Sequence, residues 1–272
     1  MDTNGKLRTT RYQVKHAVLK PFIKYFWVME STDIKISHKL LPVNNIDLIL
    51  NFSSPIRYIT KQNKELVPAK FHFNGIKDRY CMINQEGKLN VFGISFFPSG
   101  LYPFLKIPIC EFTQKTIDLN IIANKFVLDI DDQINEADST LKKLDILEEG
   151  LLKLISNTYI PNSNISNILH CFYENMVNMN IQLFCDQYGI SKRKLERIFN
   201  KYVGVSPKSF YRISRFQKVF SKIINQEKVD LTFEAYQNNY YDQTHFLKDF
   251  KTFTGCSPTQ FLNEKRAVKQ II

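Results

Sequence analysis

No run of apolar residues in this chain approaches the roughly 18 that a membrane-crossing helix requires. The opening residues, M-D-T-N-G-K-L-R, lack the apolar segment of a secretory leader. A cytoplasmic protein with no membrane partner is therefore expected. Cysteine is sparse. Cys81, Cys110, Cys171, Cys185 and Cys256 are odd in number and scattered, with no C-x-x-C. They read as reduced, mostly buried thiols and not as a disulfide framework. The histidines His16, His38, His72, His170 and His245 form no H-x-H or H-x-x-x-H pair, although a metal site normally needs closely spaced histidines with a carboxylate. His72, in F-H-F, reads as a strand residue. There is no G-x-x-x-x-G-K-[ST] phosphate loop and no G-x-S-x-G nucleophile turn. Asp131-Asp132 and Glu148-Glu149 read as solvated helix charges, not as a catalytic pair. These absences argue against an enzyme, and no metal or cofactor is expected.

What the chain does have is an internal repeat. Residues 199–210 read F-N-K-Y-V-G-V-S-P-K-S-F, and residues 250–261 read F-K-T-F-T-G-C-S-P-T-Q-F. Phe199 aligns with Phe250, Gly204 with Gly255, Ser206 with Ser257, Pro207 with Pro258 and Phe210 with Phe261. A repeat of that length decides the fold and is read first.

Each copy follows two short helical patterns separated by a tight turn. In the first, Asn180 caps a helix with an apolar stripe of Ile181, Phe184, Cys185 and Tyr188. Gly189 ends it, because the turn needs a residue that tolerates positive φ. Ser191 caps the next helix, K-R-K-L-E-R-I-F. There Leu195, Ile198 and Phe199 face inward, while Lys192, Arg193, Glu196 and Arg197 stay outside. Cations at that spacing suit phosphates and base edges in a major groove. In the second copy Asp230 precedes Leu231, Ala235 and Tyr236. Asn239 takes the turn, since Asn is the best substitute for glycine in the left-handed region. Asp242 caps Q-T-H-F-L-K-D-F-K, with Phe246 and Phe250 inward and Gln243, Thr244 and Lys248 outward. The second turn carries one residue more than the first.

Charge follows the repeat. The chain is +11 net, and residues 178–272 hold 16 lysines and arginines against 8 acidic residues. A net +8 in about a third of the chain marks a polyanion binder. Lys201, Lys208 and Lys251 are candidate phosphate contacts.

Residues 1–120 look strand-rich. The runs 22–28, 46–52, 70–73 and 89–97 are aromatic and β-branched, with breaks at Pro42, Ser53-Ser54-Pro55, Gly75 and Glu86-Gly87. This spacing suggests a sandwich or barrel, with Trp27, Phe71, Phe73, Phe92 and Phe96 as candidates to line an apolar pocket. Ser99 is expected to cap a short helix ending near Leu105. Residues 121–156 read as helical. Leu141, Leu144, Leu147, Leu151 and Leu154 form a stripe that serves either a dimer or packing on the chain's own barrel. The polar, proline-marked stretch 157–164 reads as a linker, and Ile165, Ile168, Leu169, Phe172 and Met176 open the next domain.

From about Asn178 onward the chain resembles the C-terminal DNA-binding domain of the AraC/XylS family of bacterial transcription regulators. The signature lies in Asp242-Gln-Thr-His-Phe, Phe250-Lys and Gly255-Cys-Ser-Pro, and in Phe210, Arg215 and Val219 of a linker helix. The chain departs from the family at Asn239-Tyr240, where Gly-Phe is usual, and at Glu234, where an aliphatic residue is usual. It departs again at Leu247, where a small polar residue is common. The N-terminal stretches Y-F-W-V-M and F-G-I-S-F-F-P-S-G resemble a domain found ahead of some such units.

The resemblance implies an α+β protein. An antiparallel, cupin-like β-barrel with trailing helices spans 1–156, a linker spans 157–164, and an all-α domain with two helix-turn-helix units spans 165–272. It implies double-stranded DNA as partner, with Lys192, Arg193, Glu196, Arg197, Lys208, Gln243, Thr244, Lys248 and Lys251 as contacts. Gly189, Asn239, Gly204, Gly255, Pro207 and Pro258 are its turn residues. It also implies a small-molecule effector or a homodimer through the barrel, RNA polymerase as a further partner, and a place at the nucleoid. Two alternatives stand beside it: a DNA-binding protein whose barrel only assembles, and a small-molecule-binding or metal enzyme with a helical appendage.

Overall fold

A computed structural model describes residues 7–60, 62–155, 163–174, 179–225 and 230–263. The N-terminal half is an eight-stranded antiparallel sheet: β1 (Arg8–Tyr12), β2 (Ile23–Leu40), β3 (Ile46–Asn51), β4 (Arg57–Ile59), β5 (Glu65–Leu66), β6 (Phe71–Asn74), β7 (Cys81–Phe96) and β8 (Thr116–Asp118). The main path runs β1-β2-β7-β3-β6-β8, with β4 on β7 and β5 on β4.

A strand's side chains alternate between faces, and here both faces are apolar. Phe26 and Val28, Leu48 and Leu50, Phe71 and Phe73, and Phe92, Ile94 and Phe96 belong to the main core. Trp27, Met29, Ile49, Leu89 and Val91 project to the other face and join a second, smaller cluster. The Phe-rich face is covered by α1 (Tyr102–Leu105), a 3₁₀ turn at Ile109–Phe112, α2 (Asn120–Glu136), α3 (Thr140–Leu154) and part of the helical half.

Several expectations need correction. The sheet does not close: among the described residues its path ends at β1 and β8. It buries its aromatic face against helices instead of against itself. β2 and β7 run far past the aromatic runs, as a ribbon pairing Ile34 with Gly87 through Leu40 with Cys81. Its alternation of isoleucine with polar residues carries too little apolar content to read as strand. Glu86-Gly87 is not a turn. Gly87, at φ +92°, lies within β7 beside the register shift between Ser31 and Ile34, a bulge that glycine accommodates. The short helix follows Leu101, not Ser99. In α3, Leu144, Leu147 and Leu151 are buried but Leu141 is 55 % exposed. Cys110 is exposed, against the expectation of mostly buried thiols. Residues 157–162 of the expected linker, and Met176, lie outside the described residues. Ser163 already opens α4 (Ser163–Glu174).

Of the carboxylates expected to be solvated, Asp132 and Glu149 are exposed, whereas Glu148 and Asp131 depart. Glu148 is buried and accepts hydrogen bonds from the backbone N–H groups of Lys15 (2.9 Å) and His16 (2.8 Å). It ties the segment before β2 to α3. Asp131 pairs with Lys70. Glu148→Ala would remove the acceptor of two partly buried N–H donors, which costs about 1 kcal/mol. Urea unfolding should show that loss, with Glu149→Ala nearly neutral.

Candidate DNA interface

The helical half contains α4, α5 (Ile181–Gln187), α6 (Lys192–Tyr202), α7 (Pro207–Asn225), α8 (Leu231–Gln237), α9 (Gln243–Thr254) and α10 (Pro258–Asn263). All four expected caps form. Asn180 Oδ1 accepts from Gln182 N and Leu183 N, and Ser191 Oγ accepts from Lys194 N. Asp230 Oδ1 accepts from Thr232 N and Phe233 N, and Asp242 Oδ1 accepts from His245 N at 2.7 Å. The turns match as well: Gly189 sits at φ +59° and Asn239 at φ +60°.

These caps fix where α6 and α9 start, and thereby which side chains point outward. On α6, Leu195, Ile198 and Phe199 are buried, while Lys192, Arg193, Lys194, Glu196 and Arg197 are exposed. On α9, Phe246 and Phe250 are buried, while Gln243, Thr244, Leu247, Lys248 and Lys251 are exposed. Lys208 is exposed in the first turn of α7. Each unit thus presents one polar helix face, cationic on α6 and more mixed on α9. Lys201 is different. Its ammonium lies 5.3 Å from the Tyr102 ring and 5.4 Å from the Tyr202 ring, and a hydrogen bond with Tyr102 raises its pKa. It faces the sheet half. Lys194, not singled out in the sequence, belongs with the α6 cations. Tyr236, near the end of α8, is exposed, as is Tyr241 at 88 % in the longer second turn.

One helix joins the two units. The N-terminal half of α7 places Phe210 5.8 Å from Phe199. Its C-terminal half places Phe216 5.7 Å from Phe250 and Phe220 5.1 Å from Phe261. Phe172 of α4 stacks 4.6 Å from Phe199, so α4 belongs to the first unit.

Two of the departures in the second unit, at Glu234 and at Asn239-Tyr240, are met from α7, while Leu247 stays exposed. Glu234 is buried but pairs with Lys222 Nζ at 2.6 Å. Asn239 and Tyr240 are held by Arg215: Nη1 donates to Asn239 O at 2.9 Å, and the guanidinium lies 3.7 Å from the Tyr240 ring centroid. The buried Asp249 of α9 then accepts from Arg212 Nη2 at 2.7 Å and Arg215 Nη2 at 3.1 Å. Two charges that neutralise a carboxylate inside the protein leave a large penalty when that carboxylate is removed. Asp249→Ala should lower stability by about 3 kcal/mol in denaturant unfolding monitored by circular dichroism.

Residues 184–264 match a family described as a helix-turn-helix domain. Residues 15–118 match a domain of unknown function, DUF6597. No curated protein matches the chain. Among solved structures, ToxT from Vibrio cholerae is 12 % identical at a TM-score of 0.45, over 94 % of this chain and 98 % of that one. ToxT with an unsaturated fatty acid bound is 12 % identical at 0.45, over 96 % and 97 %. The AraC-like transcriptional activator CuxR is 10 % identical at 0.25, over 79 % and 87 %. The paired units form a helix-turn-helix domain. Their sequence signature resembles that of the AraC family of transcription regulators.

Proposed function

We propose that the protein reads two adjacent major-groove segments of duplex DNA, with α6 and α9 as reader helices. The observation that carries this is their common setting: both start at a side-chain cap after a left-handed turn, both expose a polar face, and both pack on α7. Arg193, Glu196 and Arg197 read bases from α6, with Lys192 at its start. Gln243, Thr244 and Lys248 read from α9. Lys208 and Lys251 contact phosphate, which adds affinity and salt dependence without sequence choice. The helical domain starts with α4 at Ser163 and not at 165, and the sheet domain is 1–156. A second copy and RNA polymerase are further partners suggested by the family, with no surface assigned to either.

The sheet domain controls this activity through an effector. On its second face lies a pocket of about 80 Å³, within about 800 Å³ of atom-free space that includes its mouth. The loop after β2 separates this pocket from α7. Leu41, Val43 and Asn45 line the pocket, while the residues between them bind the helix. Gln217 Nε2 donates to Pro42 O at 3.4 Å. Asn44 Nδ2 donates to Phe210 O (2.8 Å) and Ser214 Oγ (2.5 Å). An occupant that shifts this loop shifts the helix on which both readers are built. Of the five aromatics expected to line a pocket, only Trp27 does so; Phe71, Phe73, Phe92 and Phe96 lie in the main core on the opposite face.

Arg193→Ala and Arg197→Ala should lower sequence discrimination as well as affinity, each by about 1–3 kcal/mol. Lys208→Ala should weaken specific and non-specific binding equally. Titrations against selected and scrambled duplexes separate the two effects, and an unchanged ratio for Arg193→Ala would remove α6 as a reader. The fragment 163–272 should fold and bind DNA by itself, since α4 and both units share the α7 core. Its affinity should fall steeply with added salt. A folded fragment that shifts no duplex from a genomic pool would overturn the assignment.

A further inference from the structure

The chemistry of the pocket narrows its ligand, given the reading of it as an effector site. Strand register sets its floor in rows. Trp27 pairs across the sheet with Gly93, Gly93 with Ile49, and Ile49 with His72. The next row is Ser95, Asp47 and Asn74. Trp27 lies directly over Gly93: a Cβ added there would fall 1.8 Å from indole Cε2. Only glycine lets the indole settle onto the sheet, and Trp27 then becomes a wall of the pocket.

The row beside it is polar and ordered. His72 Nδ1 donates to Ala69 O at 2.9 Å, because a carbonyl can only accept. His72 Nε2 therefore accepts from Tyr58 OH at 3.0 Å. Tyr58 OH in turn accepts from Asn74 Nδ2 at 2.8 Å, and Asn74 Oδ1 accepts from Thr116 Oγ1. That network is satisfied internally. Asp47 is not. Ser95 Oγ (2.7 Å) and Asn45 Nδ2 (2.8 Å) both donate to its Oδ1, and no bond to Oδ2 forms among the described residues. The carboxylate lies deep in the protein, yet part of its surface stays accessible, and it lines the pocket. Burial pushes its pKa up, against the lowering by those two hydrogen bonds.

We infer that the pocket binds a small molecule with one apolar ring against Trp27 and a hydrogen-bond-donating head, an ammonium or a hydroxyl, on Asp47 Oδ2. The apolar wall, with Met29, Ile36, Ile49 and Leu89, takes the ring. The enclosed space of about 80 Å³ is about half that of an engineered cavity that holds benzene, so the ring seats against Trp27 only in part and the rest of the ligand extends into the wider mouth. A carboxylate head would meet Asp47 as a like charge in a low-dielectric site. The one cation in the lining, Lys77, donates instead to Lys115 O (3.3 Å) and Thr116 Oγ1 (3.5 Å).

Trp27 is the chain's only tryptophan, so its fluorescence reports the pocket alone. The full chain at pH 7 is titrated with 2-phenylethylamine, 2-phenylethanol and 3-phenylpropanoate. Saturable changes with the amine and the alcohol, and at least tenfold weaker binding of the carboxylate, are expected. Asp47→Asn, which keeps the shape of the side chain, should reduce amine affinity about tenfold and abolish the preference over the carboxylate. Should that variant fail to fold, the order of the three ligands on the native chain still decides. Equal or tighter binding of the carboxylate overturns the donor-head assignment but leaves an effector pocket. No saturable change with any of the three overturns the ligand class outright. DNA binding by the same preparation, measured separately, shows whether the regulator reading stands in either case.

Discussion

Both proposed reader helices hang on α7. A helix-turn-helix unit of two short helices buries too little apolar surface to fix its own orientation. Here Phe210 on one end of α7 completes the first unit, and Phe216 and Phe220 on the other complete the second. The spacing between readers is then the length of one helix, not the play of a linker. Asp249, clamped by Arg212 and Arg215, adds direction to that apolar contact. Dispersion and burial do not specify rotation, whereas a buried carboxylate with two guanidinium partners has few acceptable positions.

The same repeat that builds the readers docks them on the sheet half, and it uses one residue type for both. Gly204 and Gly255 occupy equivalent places, at φ +96° and +81°. Each ends a reader helix where a left-handed residue is needed. Each also meets the N-terminal half: a Cβ on Gly204 would lie 2.9 Å from Ile109 Cγ2, and one on Gly255 would lie 2.2 Å from the Tyr80 ring. Thr113 Oγ1 donates to Gly204 O, and the Lys39 ammonium lies 5.2 Å from the Tyr80 ring. A requirement visible in sequence as turn chemistry is therefore also an interface requirement.

The helical half was legible in the sequence because its signals are local. A cap, a left-handed turn residue and an i, i+3, i+4 stripe lie within a dozen residues of each other, and the repeat states each twice. The compensations for Glu234, Asn239 and Tyr240 were not legible, because Lys222 and Arg215 sit on another helix and only folding brings them near. In the sheet half, short aromatic runs located β3 and β6 well. The ribbon of β2 with β7 was missed because its strands are stabilised by pairing with each other more than by burial. The pocket was sought among phenylalanines. Alternation along the strand sends Phe26 and Val28 one way and Trp27 and Met29 the other, and a sequence does not say which face a helix will cover. Glu148 was read as solvated for a similar reason: its partners are backbone N–H groups more than a hundred residues away.

Magnitudes decide how strongly the pocket can act on the readers. A tenfold change in DNA affinity corresponds to about 1.4 kcal/mol, and a single hydrogen bond contributes about 0.5–1.5 kcal/mol net. The loop at Leu41–Asn45 makes three polar contacts with α7, two of them from one amide. Asn44 Oδ1 is buried without a partner among the described residues, so this contact already carries an uncompensated cost. Rearrangement at Asn44 alone is thus of the right size for a tenfold response. A response of several hundredfold would require more, because the Gly204 and Gly255 contacts hold the readers against the sheet independently of this loop. The size of the effector response therefore distinguishes a local adjustment of α7 from release of the whole helical half.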